Sequence, residues 1–192
     1  MIQCRKTEKE DAVKYSVERL RRLYFKAALE TYASGKEAGR FPDRPWVKRF
    51  TYRGEGEFSG LLYVDEYTTN GEWSGGSTMI VLDDDPTHPL WLMQYHGWCQ
   101  NDDPQVLTFL KEILTTAYRE SEFYGGRGRY GRTVSDDGAL LYENHPTLLP
   151  TSEEFVDFMG HERIRAHGRV WQPEFTMLFW HRYQGLLLCE PE

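Results

Sequence analysis

Ionisable side chains set among aromatic ones are the residues of this chain best suited to chemistry. Tyr63-x-Asp65-x-Tyr67, Trp91-x-Met93-x-Tyr95 and the series Phe175, Met177, Phe179, His181 and Tyr183 each recur at every second position. In an extended strand alternate side chains leave the same face, so each series forms one row. Asp65 and His181 stand inside these rows, and Glu162 joins them as a third ionisable group that needs a partner or a purpose in apolar surroundings. The candidate ligand-binding set is therefore Tyr63, Asp65, Tyr67, Trp91, Met93, Tyr95, Glu162, Phe179, His181 and Tyr183. Two readings stay open. The rows fill the core, as aromatic and methionine side chains ordinarily do, or they line a concave sheet face left open by the helices, where a small, partly apolar ligand fits. A third use is an acid-base pair, with Glu162 and His181 tuned toward neutral pH by an aromatic pocket.

Other constellations carry less. Asp83-Asp84-Asp85 with His88 supplies hard-cation ligands at close spacing, but Asp and Pro in this pattern read first as a tight turn, and no metal site is assigned. Arg127, Arg129 and Arg132 alternate with Gly125, Gly126, Gly128 and Gly131; this reads as a flexible loop, with an anionic ligand or an acidic protein surface as the weaker option. The order strand, G-x-x-x-x-G-K-[ST], helix does not occur, which argues against a nucleotide loop. Cys4, Cys99 and Cys189 are odd in number and widely spaced, so they read as reduced thiols. No G-x-S-x-G elbow is present, and His96 and Cys99 splay apart on a strand, so no catalytic residue and no cofactor are assigned.

The elements that position these residues follow from periodicity. Thr7 and Glu10 form a capping box, and Val13, Val17, Leu20, Tyr24, Ala27 and Ala28 give a helix running to about Tyr32. Four strands are predicted over Val47–Arg53, Phe58–Thr68, Trp73–Leu82 and Leu90–Trp98, with Asn70-Gly71 as the clearest hairpin signal. Asp102 or Asp103 before Pro104 starts a second helix whose buried stripe is Val106, Leu107, Leu110, Ile113, Leu114 and Ala117. Further strands are predicted over Gly128–Val134, Ala139–Asn144, Glu162–His167 and Phe175–Leu188, with a short helical turn from Thr151 through Phe158.

The two halves, about 10–98 and 103–188, run in the same order. Trp73-Ser-Gly75 matches Phe158-Met-Gly160, and the strand ending at Gly97 matches the one ending at Gly185. This predicts an α+β fold made of two α-β4 repeats forming one pseudo-twofold domain over residues 1–192, in which each helix covers one sheet face and neither sheet is complete alone. Thr31-Tyr32-Ala33, Tyr63-x-Asp65-x-Tyr67, Trp91-x-Met93-x-Tyr95-x-Gly97 and Gly160-x-Glu162-x-Ile164 resemble an uncharacterised bacterial family, domain of unknown function 5680 (DUF5680), over about Leu23 to Leu188. The resemblance implies a domain that occurs alone or behind a helix-turn-helix module, which one long N-terminal helix replaces here. The family tends to place Glu two residues after each aromatic-x-Gly; this chain has Glu162 in the second copy and Ser77 in the first. No activity comes with the family.

Thirty acidic against 23 basic residues give a formal charge of −7, which repels phosphate backbones, so nucleic acid is not expected as a partner. The first twenty residues hold no long apolar run, which predicts neither signal peptide nor membrane anchor and places the chain in the cytoplasm. The function expected is a non-catalytic binding domain for a small molecule. A protein-interaction or inhibitor domain and a Glu/His enzyme are the alternatives, and oligomeric state is not readable.

Overall fold

The computed structural model describes residues 15–148, 154–166 and 176–190. Among them are two α-helices and one nine-stranded antiparallel sheet. Helix α1 spans Val17–Glu30 and starts at Ser16, whose hydroxyl accepts from the Arg19 amide. The expected box at Thr7 and Glu10 lies outside the described residues. Strands β1 (Gly39–Arg40), β2 (Val47–Arg53), β3 (Leu61–Asn70), β4 (Trp73–Leu82) and β5 (Pro89–Cys99) follow. Gly71, at positive φ, makes the β3–β4 hairpin. Helix α2 spans Pro104–Glu120; the Asp103 carboxylate accepts from the Gln105 amide, and proline takes the first turn, where its missing N–H costs nothing. The second half adds β6 (Gly131–Val134), β7 (Leu140–Leu148), β8 (Asp157–Ala166) and β9 (Met177–Leu187).

One expectation is corrected. Phe158 lies inside β8, so no helical turn runs from Thr151 through it; Thr151–Glu153 lie outside the described residues, and Glu154–Val156 form a plain turn. Edge strand β1 was also not foreseen, because two residues carry no periodicity.

Strand order is β1-β2-β3-β4-β5-β9-β8-β7-β6. Each half thus forms a meander, and the last strand of the first half pairs with the last strand of the second. In that central pair Tyr95 faces Tyr183 and Gly97 faces His181. Gly76 pairs with Tyr95 across β4–β5, and Gly160 with Tyr183 across β8–β9. A Cβ at either glycine would collide with the tyrosine hydroxyl opposite, at 2.8 Å for Gly76 and 2.4 Å for Gly160. Gly76, not Gly75, therefore stands to Tyr95 as Gly160 stands to Tyr183, one residue from the sequence match.

Both helices lie on one face of the sheet. Tyr24 of α1 meets Tyr63 of β3, Trp91 of β5 and Tyr118 of α2 with ring centroids 5.3–6.2 Å apart. One buried apolar cluster joins residues of both halves, including Leu20, Leu61, Ile80, Leu114, Tyr142 and Ile164. No helix among the described residues is long and apolar enough to cross a membrane.

Candidate functional site

The aromatic rows face the helices, not an open side of the sheet. Strand alternation points Tyr63, Asp65 and Tyr67, then Met93 and Tyr95, then Phe179 and His181, toward α1 and α2, where they form the floor of a cavity of about 550 Å³. Tyr24, Ala28, Tyr32, Leu107, Lys111 and Tyr118 supply the helical side. Of the two readings the sequence left open, the uncovered aromatic surface is thus corrected: both helices lie over the rows, and the cavity sits between the two layers.

Seven of the ten expected ligand-binding residues line this cavity, and Trp91, Glu162 and Tyr183 do not. Trp91 is fully buried, stacks on Phe155 at 4.8 Å and Phe158 at 5.8 Å, and donates its indole N–H to the Phe155 carbonyl at 2.9 Å. It belongs to the packed core. Tyr183 is buried against Phe158, with ring centroids 6.5 Å apart, and donates to Asn144 Oδ1 at 2.7 Å. Glu162 is buried behind the cavity wall, where it organises the polar groups that do reach the cavity.

Two carboxylates divide those groups. Asp65 accepts from Tyr95 Oη at 2.8 Å and from Thr78 Oγ1 at 2.9 Å. Burial raises its pKa, and the two hydroxyl donors offset only part of that rise. Glu162 accepts from Tyr142 Oη at 2.7 Å, lies 3.3 Å from His181 Nδ1 and 3.5 Å from Arg127 Nε. Burial alone would raise its pKa, but the Arg127 charge, with the His181 and Tyr142 contacts, holds it below the usual carboxylate value. Burial depresses the His181 pKa, against the pull of Glu162 and with repulsion from Arg127, so the imidazole is neutral at pH 7. With Nδ1–H donating to Glu162, Nε2 is left as an acceptor, 3.3 Å from the Ser74 hydroxyl at the cavity edge.

Ser74, His181 and Glu162 therefore stand in the order nucleophile, base, orienting carboxylate. The Ser74 and Thr78 hydroxyls were missed because serine and threonine on a strand carry no motif. Arg127 was seen, but with the wrong company. Its side chain is 8% exposed, whereas Arg129 is exposed and Arg132 pairs with Glu143 on the opposite sheet face at 3.0 Å. The three arginines form no joint cradle. Nor is the glycine loop loose: Gly125 and Gly126 sit at positive φ, and the Cβ atoms they lack would strike Tyr183 and Tyr24, so the backbone lies directly on those rings. The glycine spacing was the signal of that close approach. Arg127 rests over Tyr95, 4.7 Å from the ring centroid.

The remaining constellations are structural. Asp85 accepts from the Thr87 amide and hydroxyl and contacts His88 within a turn. His96 is exposed on the open face while Cys99 is buried toward the cavity, so the two do not meet. Comparison with protein families, with curated proteins and with solved structures returned no match.

Proposed function

We propose that this chain is a binding domain for a small, partly apolar molecule, seated in the cavity between the two helices and the sheet. One observation carries the reading: the walls combine six tyrosines with four buried polar side chains, Asp65, Thr78, Arg127 and His181. A core that needed only packing would not hold a cavity of this size next to buried ionisable groups; ligand sites typically span roughly 300–1,000 Å³ with a few convergent polar side chains. Leu107→Trp should fill part of the cavity from its helical wall, at a residue that is only partly buried. A thermal-shift screen against metabolites and nucleotides is expected to give hits in the wild type that Leu107→Trp removes while keeping its own melting temperature within a few degrees. A silent screen, or hits that ignore the substitution, would end the proposal.

The same reading includes two halves that are copies of one α-β4 unit. The strand orders β2-β3-β4-β5 and β6-β7-β8-β9 run outward in mirrored sequence from the central pair. The equivalences Tyr63/Tyr142, Asp65/Asn144, Gly76/Gly160 and Tyr95/Tyr183 support duplication through shared hydrogen bonds: Tyr95 donates to Asp65 as Tyr183 donates to Asn144.

A second reading is favoured by the Ser74–His181–Glu162 chain: a hydrolase acting on a small ester. A fluorophosphonate probe should then label Ser74 in the wild type and not in His181→Gln. An unlabelled wild-type protein removes this reading and leaves the binding role intact.

A further inference from the structure

We infer that the cavity selects a small planar monocarboxylate, which the Arg127 guanidinium grips at its inner wall; this rests on the binding role proposed above. Arg127 lines the cavity and is almost wholly buried, yet its Nε and Nη2 have no hydrogen-bond acceptor among the described residues. Glu162 balances its charge without satisfying its donors, because the nearest approach is 3.5 Å and the carboxylate is already shared with Tyr142 and His181. A buried donor left unmade costs more than an ordinary hydrogen bond returns, so these N–H groups call for an acceptor that the protein does not provide.

Geometry selects the acceptor. The guanidinium is pinned over the rings of Tyr95 and Tyr183, 4.7 and 5.9 Å from their centroids, so its planar fork has a fixed direction before any ligand arrives. Parallel N–H groups match the two oxygens of a carboxylate. Charge sets the valence. Arg127 is already paired with Glu162, and Asp65, whose pKa burial raises, stands in the same cavity, so each negative charge brought in adds to the load and a dianion such as a phosphate monoester adds twice what a monocarboxylate does. At the rim Lys48 and Lys111 are offset by Glu72 and Asp102, so entry favours neither sign. The tyrosine walls, with Met93 and Phe179, suit a flat apolar body.

Phenylacetate, phenylacetamide and phenyl phosphate share one body and differ in the group that meets Arg127. Titration calorimetry on the wild type should give phenylacetate at least about tenfold tighter binding than phenylacetamide, with phenyl phosphate weaker than phenylacetate, since a charged bidentate contact is worth roughly that factor. Arg127→Lys, which retains the charge but not the fork, should shrink the acid-to-amide ratio several-fold. Equal affinity for acid and amide, or tighter binding of the phosphate, overturns the carboxylate assignment and leaves a small-molecule cavity standing. If none of the three binds, the assignment fails, and a silent metabolite screen then removes the binding role with it. Because the wild-type comparison stands alone, the test survives a variant that does not fold.

Discussion

Glu162 and His181 face each other across β8 and β9, and their protonation is set by what surrounds them rather than by their chemistry alone. The depressed His181 pKa makes a prediction whose sign is fixed. Between its folded value and the ordinary 6.5, the unfolded chain binds a proton that the native state refuses, so stability falls as pH drops through that window. His181→Gln should flatten the dependence of unfolding free energy on pH below 6.5, removing a slope that approaches about 1.4 kcal/mol per pH unit for one full proton. His161, also depressed by burial, remains in the variant and keeps its own share. Parallel wild-type and variant curves from urea titrations at successive pH values would contradict the account. Asp65 acts in the opposite sense, since its raised pKa costs stability as pH rises past the ordinary carboxylate value. Asp65 and His181 were legible in the sequence because an ionisable side chain inside an apolar row is conspicuous, and Glu162 by its place two residues after Gly160. Arg127 was only half legible: its glycine neighbours announced an unusual backbone, but an arginine between glycines looks the same whether it waves in solvent or is pressed against rings.

Among the elements, the strands next to the central pair show why a motif can be right in kind and wrong by one position. Trp73-Ser-Gly75 repeats an aromatic-x-Gly pattern, yet the residue that must lack a side chain is Gly76, because strand register sets it against Tyr95. A Cβ on Gly75 would find its nearest neighbours at 3.5 Å, ordinary contact, whereas one on Gly76 would lie 2.3 Å from the Glu66 carbonyl. Gly75→Ala should therefore stay within about 0.5 kcal/mol of the wild type, and Gly76→Ala and Gly160→Ala should each lose about 1–3 kcal/mol, as overpacked sites do. Equal losses for Gly75→Ala and Gly76→Ala in thermal unfolding would show the register argument to be wrong. Helix α2 was legible in its start and most of its buried face, since Asp103, Pro104 and the apolar stripe specify start and phase together; Leu107 proves only partly buried, and the aromatic Phe109 and Tyr118 complete the face. The entry into β8 was not, because Thr151-Ser-Glu-Glu carries a strong capping pattern and the pairing of Phe158 with Gly185 outweighs it.

For the whole molecule, local patterns determined the number and type of most elements, the grouping of aromatic residues into same-facing rows and the polar candidates Asp65, Glu162 and His181, because side-chain periodicity and turn chemistry act over a few residues. Tertiary structure alone decided that β5 pairs with β9, that both helices lie over the same face, and that the β5 and β9 rows are sealed in the core at Trp91 and Tyr183 while Tyr95, His181 and the whole Tyr63-x-Asp65-x-Tyr67 row border a cavity. It also decided that Arg127 would come to rest beside Glu162, 35 residues further along the chain. Whether an aromatic row is core or binding wall depends on how far the opposing helix stands away, and that distance is set jointly by side chains remote in sequence, so no single stretch of the chain encodes it.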